Sequence, residues 1–123
     1  MADREAEIVA RLARAVSDLP AAQWNGVART ADPFLGHEFL SLLEECGSVG
    51  DGTGWTPLPV MVERQSSITA AAPAYLKTHS QGEYVFDRGW ADAWDRAGGS
   101  YYPKLQVAVP FTPCVGRRLL GDD

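Results

Sequence analysis

The stretch His79–Trp94, HSQGEYVFDRGWADAW, concentrates the side chains of this chain best able to do chemistry. His79, Glu83 and Asp87 recur every four residues. As metal ligands they fail on reach. Four residues of extended chain span about 13 Å, whereas ligands lie within about 2–2.5 Å of one ion. Ser80 precedes Gln81-Gly82 without the glycine pattern of a nucleophile elbow, so a serine hydrolase is not indicated. No spacing places Cys114 beside a histidine. A glycosidase pair could be drawn from Glu83, Asp87, Asp92 and Asp95, yet carboxylates are common in a chain with 16 acidic residues. What remains is a polar-aromatic wall. Tyr84, Trp90, Trp94, Tyr101 and Tyr102 supply flat faces with hydrogen-bonding tips, and Glu83, Asp87 and Asp92 suit a cationic or amine group. The expected substrate-binding set is therefore Glu83, Tyr84, Asp87, Trp90 and Asp92. The competing reading puts the Trp rings in the core and uses the carboxylates to cap a turn.

A second candidate lies in VAVPFTPCVGRRLL. A β-branched strand leads into a proline-containing loop, then Gly116, Arg117, Arg118 and an apolar Leu119-Leu120 pair. A strand, a short Gly/Arg loop and a helix start would gather free amides and positive charge, which suits a pyrophosphate. Thr112, Val115, Gly116, Arg117 and Arg118 are the expected phosphate-binding set. An ordinary strand-to-helix turn is the alternative.

The elements that must position these groups follow from periodicity. Ile8, Val9, Leu12, Val16 and Leu19 form one stripe, which predicts a helix over residues 3–19 ended by Pro20. Residues 21–31 are ambiguous, with Trp24 expected in the core and Asn25-Gly26 as a turn signal. Asp32-Pro33 predicts a helix start. Leu35, Phe39, Leu42, Leu43 and Cys46 form its expected apolar face, His37 its less apolar side and Gly47 its left-handed exit. Residues 48–54 form a glycine-rich loop without the Lys-Ser/Thr end of a nucleotide P-loop. Strands are expected over 55–63 and 68–78, antiparallel through a turn at RQSS, with a short strand at 83–87. GWADAWDRAGG reads as a helical turn. YYPKLQVAVPFTP reads as the clearest strand, with Leu105, Val107, Val109 and Phe111 on one face. The fold class is α/β (α+β), N-terminal helices packed on a mostly antiparallel sheet.

Bulk properties set the frame. The chain has 123 residues, enough for one domain, and 46% are hydrophobic, enough for a core. A net charge of −5 without a Lys/Arg tract argues against a grip on duplex DNA. Cys46 and Cys114 share no metal-ligand spacing and read as two unrelated buried thiols. The N-terminus is no signal peptide, and no apolar run nears the ~20 residues of a membrane span, so a cytoplasmic protein is expected.

DPFLGHEFLSLLEECGSVG, TGWTP, AAPAYLKTHSQGEYVFDRGWADAW and YYPKLQVAVPFTP followed by GRRLL resemble the N-terminal part of the FemAB-like family of peptidoglycan biosynthesis and recognition, related to the GNAT N-acyltransferases. The resemblance runs from Asp32 to Leu120, and GEYVFD, YYPKL and AVPFTP are its most specific blocks. The chain departs from the family pattern at Arg88, Cys114 and Arg117. The resemblance implies an N-terminal helix and connection over 1–31, then an incomplete GNAT-like half over 32–123. It implies an N-acyl or aminoacyl transferase acting on an amine, with acyl-CoA or aminoacyl-tRNA as co-substrate, no covalent cofactor and no metal. A peptidoglycan precursor is the implied substrate. A non-catalytic recognition module is the other reading. A partial domain would leave an unpaired sheet edge, so self-association is expected.

Overall fold

The computed structural model describes residues 7–29 and 31–121. The chain opens with a strand where periodicity predicts a helix. Ile8–Leu12 is β1, and Val16–Asp18 is one 3₁₀ turn. The expected helix over 3–19 is thereby overturned, and residues 3–6 lie outside the described residues. β1 pairs antiparallel with β3, Val60–Arg64, over its full length. Adjacent β-branched Ile8 and Val9 favour that extended state, and five residues are too few for a three-four spacing to be decisive. Glu44 caps the 3₁₀ turn from afar, accepting from Val16 N at 2.7 Å and Ser17 N at 3.0 Å.

Helix α1, Ala21–Ala28, follows Pro20 and ends at Arg29 in the left-handed region. It absorbs Asn25-Gly26, which therefore makes no turn. Trp24 is fully buried, as expected, and its indole Nε1 donates to the Leu35 carbonyl at 2.9 Å. Asp32-Pro33 does start a helix, and Asp32 accepts from Phe34 N at 3.0 Å. The first turn, Pro33–Leu35, is 3₁₀, and extended Gly36 separates it from α2, His37–Glu45. That break changes the helical phase. Leu40 becomes the buried residue, while Leu42 is 53% exposed and Cys46 lies on the surface. Gly47 takes the left-handed exit at φ 76°.

Prolines divide both predicted central strands. Residues 55–63 become β2, Trp55–Pro57, and β3, separated at Leu58-Pro59. Residues 68–78 become β4, Ser67–Ala72, and β5, Ala74–Lys77, separated at Pro73. The β3–β4 hairpin is antiparallel as expected, turning through Gln65 and Ser66 at positive φ. Each half then enters a different sheet. Helix α3 is Arg88–Arg96, β6 is Lys104–Val107 and β7 is Leu120–Gly121. One sheet has the order β1-β3-β4-β7 and the other β2-β5-β6, with every pairing antiparallel. The main core joins Trp24, Leu35 and Leu40 to Ala71, Val109 and Leu120. Alanines on β4 let α1 approach closely.

Three further expectations fail. Residues 83–85 are bends and 86–87 are irregular rather than strand. The last long strand stops at Val107, and its faces are inverted: Leu105 and Val107 are exposed, while Gln106 and Ala108 are half-buried. Among the described residues no helix follows Gly116. Leu120 instead pairs opposite Ala71 as a strand, which takes its apolar side chain into the core.

Candidate functional site

The second sheet ends in a charged cluster. Tyr75 and Lys77 share the inner face of β5 by strand alternation, and both are buried. A lysine with no exposed side-chain surface needs partners. Lys77 Nζ lies 3.0 Å from Glu83 Oε2, donates to the Gln81 carbonyl at 2.8 Å and sits 3.5 Å above the Trp55 ring centroid. The Glu83 contact is ionic rather than an aligned hydrogen bond. The Gln81 carbonyl also accepts from Trp55 Nε1 at 3.0 Å.

A second lysine closes the network. Lys104 Nζ, at the start of β6, donates to Glu83 Oε1 at 2.6 Å and to Asp87 Oδ2. Tyr101 Oη donates to the same Asp87 oxygen at 2.6 Å. Ser80 Oγ accepts from Asp87 N at 3.1 Å and lies 2.5 Å from Tyr102 Oη. Asp87 stands at the start of α3, but its carboxylate is spent on Lys104 and Tyr101 rather than on the helix amides.

Titration follows from these contacts. Burial pulls the Lys77 ammonium below the ordinary lysine value, and Glu83 only partly offsets it. For Lys104, burial acts downward but Asp87 and Glu83 outweigh it, so its affinity for the proton rises. Burial would raise the Asp87 carboxyl, yet Lys104 and Tyr101 bring it below the ordinary aspartate value. The hydrogen bond to Asp87 raises the Tyr101 phenol.

An open cleft of about 640 Å³ lies beside the network. Its apolar part includes Trp55 and Phe111, whose rings are 5.3 Å apart. Two backbone features shape this floor. Gly82 has φ 82°, and a Cβ there would come within 2.5 Å of the Phe111 ring. Phe111 itself holds φ 59°, a costly conformation for an aromatic residue of the kind that clusters at functional sites.

The cleft brings Glu83, Tyr84 and Asp87 of one expected set together with Thr112 and Arg118 of the other. Trp90, Asp92, Val115, Gly116 and Arg117 are not on its wall. Trp90 and Trp94 are 76% and 57% exposed, so neither ring is core. Arg117 donates to the Gly121 carbonyl at 3.1 Å and braces β7. Arg118 donates to the Cys114 carbonyl at 2.8 Å, which holds its guanidinium at the cleft. Among the described residues the helix that was to complete the phosphate cradle does not form, and with it the row of amides of a helix N-terminus is lost. Both cysteines are free and exposed rather than buried, and Cys114 lines the cleft. Both His79 ring nitrogens bond backbone groups, Thr53 O at 2.9 Å and Gln81 N at 3.0 Å. Among the described residues no group of three or more His, Cys, Asp or Glu side chains could hold a metal ion.

Against known proteins, the family model for peptidoglycan biosynthesis/recognition, FemAB-like, matches residues 15–123. The chain belongs to the FemAB-like family. The FemAB-like match contains every residue of the cleft and of the lysine–carboxylate network. No curated protein and no solved structure matches the chain. Among the described residues no helix is long and apolar enough to cross a membrane.

Sequence reasoning missed Lys77, Lys104, Trp55 and Phe111. Lys77 carried a usable signal: AYLK puts a lysine on the same strand face as Tyr75, and a lysine on a buried face demands a counter-ion. Lys104 carried none, since its partners lie 17 and 21 residues away.

Proposed function

We propose that the cleft is the acceptor site of an N-acyl or aminoacyl transferase that acts on an amine of a peptidoglycan precursor. The observation that carries this reading is the convergence of Glu83, Asp87, Tyr84 and Arg118 around a Trp55–Phe111 floor in one open cleft. The exposed rings of Phe111 and Tyr84 suit the apolar faces of sugar or peptide groups, while buried Trp55 backs the floor. Glu83 and Asp87 are matched in charge by Lys77 and Lys104, so a substrate ammonium would bind by taking the place of Lys104 on these carboxylates. Thr112 and Arg118 are the residues of this wall that would meet the phosphates of an acyl-CoA or aminoacyl-tRNA donor. Catalysis would rest on positioning the amine against the acyl carbonyl.

A second reading, recognition without catalysis, is favoured by a specific observation. Asp87 binds its proton more weakly than an ordinary aspartate, so it is not poised as a base near neutral pH, and Glu83 is engaged by two lysines. Thermal unfolding of the full chain with a stem-peptide amine, and separately with acetyl-CoA or aminoacyl-tRNA, distinguishes the two. A transferase site is stabilised by both ligand classes through mass action. Stabilisation by the peptide alone supports recognition only. No response to either class removes the cleft as a ligand site.

A further inference from the structure

We infer that β1 is a self-complementary edge through which two copies of this chain join their four-stranded sheets, antiparallel and with Ala10 on the two-fold axis. β1 precedes residue 15, where the family match begins, and among the described residues it is an outermost strand of its sheet. Its hydrogen-bonding phase can be read from one bond. Ala13 N donates to the Pro59 carbonyl at 3.0 Å, so Ala13 faces β3. In an antiparallel ladder alternate residues bond the same neighbour, so Val9 and Arg11 also face β3. The amides and carbonyls of Ile8, Ala10 and Leu12 therefore point to the free edge.

That edge fits a second copy of itself. With Ala10 opposite Ala10, Ile8 of each copy meets Leu12 of the other, and about six backbone hydrogen bonds form. Ile8 and Leu12 are 63% and 60% exposed, and they lie on the same sheet face as Val60 and Val62. Met61, on the opposite face, is buried. Pairing would extend this apolar face across the junction. Arg11 would stand opposite Val9 of the second copy, so no like charges are opposed. The two edge strands of the other sheet lack these properties: β2 has three residues and ends in Pro57, while β6 starts just after Pro103 and its Lys104 is committed to Glu83 and Asp87. Proline and lysine are the residues that keep edges apart.

The test is sedimentation of the full chain at tens of micromolar, alongside Ala10→Pro. Proline at position 10 deletes a free-edge donor and leaves the bonds to β3 in place. The expected result is a dimer for the parent and half that mass for Ala10→Pro, with an unchanged far-ultraviolet dichroism spectrum. A parent that sediments as a monomer, or a folded Ala10→Pro protein that remains dimeric, overturns the inference. Should the proline variant unfold, Ala10→Cys in a Cys46→Ser, Cys114→Ser background decides. A hydrogen-bonded antiparallel pair sets Cα atoms about 5.5 Å apart, within disulfide reach. Ready oxidation to a covalent dimer supports the register. No cross-link, or a faster one from Val9→Cys in the same background, refutes it.

Discussion

The two sheets are held together by opposite means. On the four-stranded sheet, α1 and the 3₁₀ turn press Trp24 and Leu35 onto Ala71 and Leu120, and the contact is almost wholly apolar. Its one buried polar group of note, the Trp24 indole, is answered by a single carbonyl. On the three-stranded sheet the apolar cluster is small, Val49, Trp55 and Tyr75, and Lys77, Glu83 and Lys104 are packed beside it, so that the Trp55 ring serves partly as a face for a charge. Apolar burial adds stability without constraint on ligand chemistry. A buried ion network is weak evidence of stability and leaves charged groups next to open space. The cleft lies on the second sheet, where the chain has kept its charges.

The contrast can be broken first at its apolar side. Trp24→Ala should cost about 3–5 kcal/mol in urea unfolding, from lost burial and the cavity it leaves. A loss below about 1 kcal/mol would mean the first sheet does not depend on that core. Next in size is Glu83→Ala, which leaves the buried Lys77 ammonium without its paired carboxylate. A cost of about 3 kcal/mol is expected, because removing one partner of a buried pair leaves the other uncompensated. Lys77→Met combined with Glu83→Leu should recover much of it. Failure to recover would show that the network is structurally required rather than merely tolerated.

Acid sharpens the comparison further. The folded-state proton affinity of Asp87 lies below its ordinary value of 3.8, so its contribution is complete above that pH and is lost as pH falls through the folded value. The stability difference between the parent and Asp87→Asn should therefore shrink as pH drops below about 4. A constant difference across that range would remove Asp87 from the acid response. The smallest expected effect is Tyr84→Ala. With Tyr84 84% exposed, stability should change by less than about 0.5 kcal/mol, while stabilisation by a stem-peptide amine should fall. Unaltered ligand response would take Tyr84 off the cleft wall.

How much of this was legible depended on the range of the interaction. Local chemistry read well: the Asp32 cap, the Gly47 exit, the RQSS hairpin and the Trp24 anchor were all visible in neighbouring residues. Whatever was decided by a distant partner was not. Ile8–Leu12 is a strand because β3 offers it a ladder, and Leu120 is a strand because Ala71 does. Asp87 looked like a cap and a ligand, but Lys104 fixes what it does. The two expected site segments met at one cleft only in their Glu83, Tyr84, Asp87, Thr112 and Arg118 portions, since the irregular path of 83–87 and that after Phe111 set which side chains face inward.

The doubly used Gln81 carbonyl has an optical consequence. Because the Trp55 indole and the Lys77 ammonium hang from the same oxygen, and that ammonium lies over the indole ring, any shift of the 80–87 segment must change the electric field at Trp55. Trp90 and Trp94 are open to a soluble quencher, and Trp24 lies in the other core. With quencher present, Trp24 supplies a steady reference and Trp55 a colour that moves when the cleft is filled, so the molecule carries its own dye for watching occupancy.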